Sequence, residues 1–93
     1  MSNAYPLVFL HIIWSTKKRF PFLKKPLRNQ AFKYIRKLTQ DMEYKDKVRL
    51  VAIGGVEDHV HLLFRVKDLY PIKSVVRKIK SKSTVFINII YKN

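Results

Sequence analysis

The chain has 93 residues, enough for one domain (residues 1–93) whose small core gives limited stability. Of these, 47% are hydrophobic, which argues against a disordered chain, and the lack of cysteine excludes disulfides and thiolate metal sites and suits a reducing cytoplasm. Twenty Lys and Arg against six Asp and Glu give a net charge of +14 and a pI near 10.3, an excess that favours a polyanionic partner, nucleic acid being the commonest.

Tyr5 to Ser15 is almost wholly apolar, the pattern of a central strand covered on both faces. Lys17 to Lys25 reads as a basic loop broken by Pro21, and Pro26 is suited to the first turn of a helix. Leu27, Ala31, Ile35, Leu38 and Met42 recur at helical spacing, which places Arg28, Lys33, Arg36 and Lys37 mostly outside the apolar stripe. Val48 to Ile53 is a second strand, Gly54-Gly55 allows a sharp turn, and Val56 to Val66 is a third strand. Pro71 opens a second helix with Ile72, Val75, Val76, Ile79, Phe86 and Ile90 on its stripe and Arg77, Lys78, Lys80 and Lys82 largely elsewhere. The order β-α-β-β-α is an α+β, ferredoxin-like pattern short of its last strand. No run is long enough to span a membrane, and the first residues lack the features of a signal peptide. An anionic membrane surface is the rival partner, but both helices need their apolar faces for the core.

The run Glu57-Asp58-His59-Val60-His61-Leu62-Leu63-Phe64 carries the most chemistry. Residues two apart on a strand share a face, so His59 and His61 project together while Val60, Leu62 and Phe64 point into a core. Two neutral imidazoles can bind a divalent metal and leave its shell open to polarise a substrate oxygen. The bland alternative is two histidines that alternate by chance. Either Glu57 or Asp58 is placed to complete a metal shell, against an ordinary role in the turn. His11 can approach the same face or act as an outer partner, because sequence does not decide which face it occupies.

Asp58-His59-Val60-His61-Leu62-Leu63 resembles the metal-binding strand of the single-tyrosine HUH transposases of small insertion sequences, a group that includes the repeat-associated tyrosine transposases. His11-Ile12-Ile13-Trp14-Ser15-Thr16-Lys17-Lys18-Arg19 resembles that family's first strand and basic turn. Ile79-Lys80-Ser81-Lys82-Ser83 with Phe86-Ile87-Asn88 resembles its second helix. The three blocks keep the family's order and cover most of the chain. The resemblance implies Mg²⁺ or Mn²⁺ held by His59 and His61, and single-stranded or hairpin DNA as substrate. It also implies cleavage and rejoining through a tyrosine that forms a 5′-phosphotyrosyl link, and a homodimer. It further implies a last strand and a C-terminal helix bearing the nucleophile and a third metal ligand, to which nothing before Asn93 corresponds. The expectation is therefore a C-terminally shortened member that binds DNA and lacks the nucleophile. Tyr91 is a candidate nucleophile by position alone, because Ile79 to Asn88 matches the second helix and the nucleophile belongs to a later one.

Lys17, Lys18 and Arg19, with Arg77, Lys78 and Lys82, are the candidate DNA contacts. Phe20 and Phe22 flank the basic loop and are suited to stacking bases, while Trp14 fits a core. Ser81 and Ser83 can bond phosphate, but helix serines more often bond their own backbone. Tyr5 and Tyr34 read as structural, and Tyr44 and Tyr70 lie at element ends. Two other classes fit the composition: a non-enzymatic ferredoxin-like nucleic-acid-binding module that reads bases by stacking, and a small basic protein-interaction domain. Divalent-metal binding that depends on His59 separates these from the transposase reading.

Overall fold

The structure, a computed structural model, describes residues 8–19, 21, 23–42 and 44–92, and of residues 17 and 90–92 the backbone only. The elements in chain order are β1 (Val8–Ser15), a 3-10 turn (Lys17–Arg19), α1 (Lys25–Gln40), β2 (Val48–Val56), β3 (His59–Val66) and α2 (Ile72–Lys92). The strands form one antiparallel sheet in the order β1-β3-β2, and both helices cover the same face of it. This is the expected α+β sandwich.

β3 is the central strand, and its alternation decides the layering. Val60, Leu62, Phe64 and Val66 are all buried, whereas Arg65 between the last two is exposed. Val60, Leu62 and Phe64 pack with Ile35 from α1, Val75 and Ile79 from α2, and Leu23 from the connection before α1. Burying a side chain of this size contributes roughly 1.5–3 kcal/mol, so these few residues supply much of the fold's stability.

α1 starts where Pro26 suits the first turn, and it ends where the Asp41 N–H turns back to the Lys37 and Leu38 carbonyls. Ala31, Ile35 and Thr39 recur every four residues and form its buried stripe. The buried hydroxyls are satisfied locally: Thr39 donates to the Arg36 carbonyl at 2.8 Å and Ser83 to the Ile79 carbonyl at 2.5 Å. Ser83 is thereby a core residue and not a phosphate contact, while Ser81 is exposed. Tyr34 stacks on Phe86, centroids 4.3 Å apart, and ties α1 to α2.

Two expectations change. β1 is an edge strand covered on one face only, because β3 pairs with both neighbours and takes the centre; Phe9 and Ile13 are 53% and 55% exposed. The start of the expected strand, Tyr5 to Leu7, lies outside the described residues. Gly54 and Gly55 do not form the turn but continue β2, opposite His61 and Val60, and the chain reverses at Glu57-Asp58. Gly55 has φ +157°, and a Cβ there would collide with the backbone of His59, so the hairpin needs glycine at this position for close approach.

Candidate metal-binding site

The register places each histidine. On the face away from the helices β1 presents Phe9, His11, Ile13 and Ser15, and β3 presents His59, His61, Leu63 and Arg65. His59 lies opposite Ser15, His61 opposite Ile13, and Leu63 opposite His11. His11 is therefore on the histidine face, diagonal to His61 and on the side away from His59.

The hairpin turn that carries His59 is held from both sides. The Asp58 carbonyl accepts from the Thr16 N–H at 2.8 Å, and the Glu57 carbonyl accepts from the Leu23 N–H at 3.0 Å. These bonds anchor the turn between the end of β1 and the segment before α1. Glu57 itself points to Lys24, 3.6 Å away.

Asp58 does more than bend the chain. Its carboxylate accepts from His59 Nδ1 at 2.7 Å, and this hydrogen bond is the main reason its pKa is lowered from the ordinary value. An ionised carboxylate has no proton to give, so His59 Nδ1 carries the hydrogen of this bond, and whenever the ring is neutral its lone pair is on Nε2. Arg19 reaches the other carboxylate oxygen at 3.7 Å. Lys18 and Arg19 both have φ of 56°, a left-handed conformation costly for side chains with a Cβ.

The His59 and His61 rings lie 4.8 Å apart between centroids. With metal–nitrogen bonds of about 2.0–2.1 Å, two imidazoles on one ion hold their centroids roughly 4.5–5 Å apart. That separation is compatible with a shared cation, and the carboxylate behind His59 is the kind of outer partner that orients a metal-binding imidazole. His11 Nε2 lies 3.1 Å from His61 Nδ1, with the rings stacked at 5.2 Å. It stands behind His61 much as Asp58 stands behind His59. Among the described residues no three His, Asp or Glu side chains converge to hold a metal.

The basic candidates divide between two sides of the molecule. Arg19 belongs to the turn beside Asp58, and Lys18 next to it is exposed. Arg77, Lys78 and Lys82 lie on α2 in the helical layer; Lys78 and Lys82 line a groove with Tyr34, Phe86 and Ile89. Phe20 and Phe22 and the side chains of Lys17 and Tyr91 lie outside the described residues. Trp14 packs against the core, as does Tyr44, while Tyr70 is 87% exposed where the chain enters α2. Among the described residues no tyrosine lies on the histidine face.

Against known proteins, a model of the IS200-like transposases matches residues 4–93. The chain belongs to that family. A crystal structure of a protein from Deinococcus radiodurans R1, designated a transposase, superposes with a TM-score of 0.77 at 23% identity, over 94% of this chain and 64% of that chain. That likeness shows a shared fold, and this chain spans less than two thirds of that protein's length. No protein of curated function matches the sequence. The sequence resemblance to HUH transposases is thus upheld at the level of family. Among the described residues no helix is long and apolar enough to cross a membrane.

Proposed function

We propose that this chain is the DNA-engaging, metal-holding part of a transposase that cuts and rejoins single-stranded or hairpin DNA. The observation that carries the reading is the His59–His61 pair on the open sheet face, with the Asp58 carboxylate 2.7 Å from His59 Nδ1. His59 and His61 would hold Mg²⁺ or Mn²⁺, which when bound supplies neutralisation of charge on the scissile phosphate oxygens. Asp58 and His11 keep the two rings oriented toward that phosphate. Lys17, Lys18 and Arg19 lie in the turn that joins the histidine end of the sheet to α1 and would contact the flanking DNA backbone. Arg77, Lys78 and Lys82 would contact a second DNA segment on the helical side.

Among the described side chains no tyrosine serves as the nucleophile in this reading. Tyr34 and Tyr44 are committed to packing, and Tyr70 sits beyond the other end of β3 from the histidines. The family's tyrosine would reach the phosphate from a helix that corresponds to no part of residues 1–93.

Binding of a single-stranded oligonucleotide with and without Mn²⁺, followed by gel analysis for adducts, tests this. Mn²⁺ should tighten binding, His59→Ala and His61→Ala should each remove the metal effect, and residues 1–93 alone should form no covalent product. An adduct that disappears in Tyr91→Phe would overturn the assignment of the nucleophile. Metal-independent binding would favour a non-enzymatic nucleic-acid module, for which the exposed Phe9 is the one Phe, Tyr or Trp among the described strand residues of this face.

A further inference from the structure

At the opposite end of the sheet from His59, Arg49 and Arg65 face each other directly across β2 and β3 on the open face. Like charges in directly opposed positions destabilise a sheet, so the charges of this pair do not help hold the strands together. Among the described residues neither guanidinium has a carboxylate within ion-pair distance, nor has Arg36. All three line one cleft of about 620 Å³ with Lys45 and Lys67, and Asp46 is the single acid there among the described residues.

The backbone is shaped to produce this arrangement. From Val56 to Ala52 the hairpin register is regular, and continued unbroken it would put Arg49 opposite Val66, facing the helices. A bulge between Leu50 and Ala52 inserts Val51 and shifts the pairing by one residue. The shift turns Val48 and Leu50 into the core and Arg49 outward, because one residue of slip exchanges the two faces of a strand. A guanidinium pair presents parallel N–H groups matched to phosphate oxygens.

We propose that Arg49 and Arg65, with Arg36 alongside, form a second phosphate site that grips the backbone of the same single-stranded DNA whose scissile phosphate lies at His59 and His61. The proposal rests on the transposase reading above. His61 and Arg65 share a face and stand four residues apart on β3, roughly 13 Å at the ordinary strand rise. That distance is about four nucleotides at a stacked spacing of 3.4 Å per strand, and fewer when the strand is extended. The face between them carries no carboxylate among its described residues, so a phosphate chain meets no repulsion on the way.

The test is salt-dependent binding of the full chain to fluorescent single-stranded oligonucleotides, comparing the double variant Arg49→Gln, Arg65→Gln with the parent. The slope of log affinity against log salt should fall by roughly 0.7 for each phosphate that is no longer neutralised. The Mn²⁺ effect should remain, and Arg49→Lys with Arg65→Lys should restore the slope but not the full affinity. A dinucleotide, too short to span both sites, should bind the parent and the Gln variant alike in the presence of Mn²⁺. Millimolar inorganic phosphate should not displace the longer strand; if it does, the cleft is a free-phosphate site and the proposal is wrong. Thermal unfolding supplies a second readout, in which Arg49→Gln alone should raise the midpoint by relieving repulsion and a fall would mean a structural role. An unchanged salt slope overturns the second site while leaving the transposase reading intact. Absence of any DNA binding by the parent overturns that reading, and the second site with it.

Discussion

Each ring of the histidine pair has a hydrogen-bonding partner behind it. Asp58 stands behind His59, and His11 behind His61. Replacing an outer partner of a metal-binding histidine typically weakens metal affinity by about 10–100-fold. Asp58→Asn should therefore weaken Mn²⁺ binding by that order in calorimetry without unfolding the chain, and His11→Ala should weaken it in the same direction. His11→Gln, which keeps a hydrogen-bonding group near His61 Nδ1, should recover part of the affinity; an equal weakening in both His11 variants would remove His11 from the metal site. Gly55 supports the same end of the sheet through backbone alone. Gly55→Ala forces a Cβ against the His59 carbonyl at a φ few residues adopt, so it should cost about 1–3 kcal/mol in urea unfolding.

At the scale of elements, β1 is the exposed one. It pairs with β3 along one side, and among the described residues nothing pairs with its other side. From Val8 to Ser15 it has neither lysine nor proline, the common defences of an edge strand. We expect two copies to pair these edges about a two-fold axis, which brings together Phe9, Ile13 and their neighbours. Light scattering of the unmodified chain at high concentration should report a dimer or larger assembly, and a monodisperse monomer would refute this. Ile13→Lys, at a position 55% exposed, should weaken the assembly without disturbing the core, as should Ile12→Pro if that N–H faces the partner.

At the scale of the whole molecule, charge and architecture act together. A net charge of +14 on 93 residues makes binding to any nucleic acid steeply salt-dependent, and that alone does not locate the contact. Replacing Lys17, Lys18 and Arg19 by Ala should flatten the salt slope if the strand passes the turn beside Asp58. If the slope does not change, the phosphate track lies elsewhere, and Arg77→Ala with Lys78→Ala and Lys82→Ala on α2 becomes the informative set. The two sets lie on different sides of the sandwich, so their effects should add in log affinity, as independent sites do.

The sequence by itself determined the element order, the shared face of His59 and His61, the α1 stripe and part of the α2 stripe, where Ile87 packs against the core in addition to Ile72, Val75 and Ile79. Each of those is a local property of a repeating backbone: period 3.6 for Ala31 and Ile35, period 2 for His59 and His61. It also carried the family, through three short blocks in order. The tertiary structure decided what depends on pairing. Sequence alternation could not tell that β1 is covered on one face only, because an apolar run looks the same whether one face or two are covered. It could not bring His11 to His61, which takes the register of strands fifty residues apart. Asp58 beside His59 was visible as a neighbour, but its bond to Nδ1 depends on a turn anchored by Thr16 and Leu23. Arg49 was the least legible residue, since a count along a regular hairpin puts it in the core. Only the bulge at Val51, a property of how two strands pair, turns it out to face Arg65.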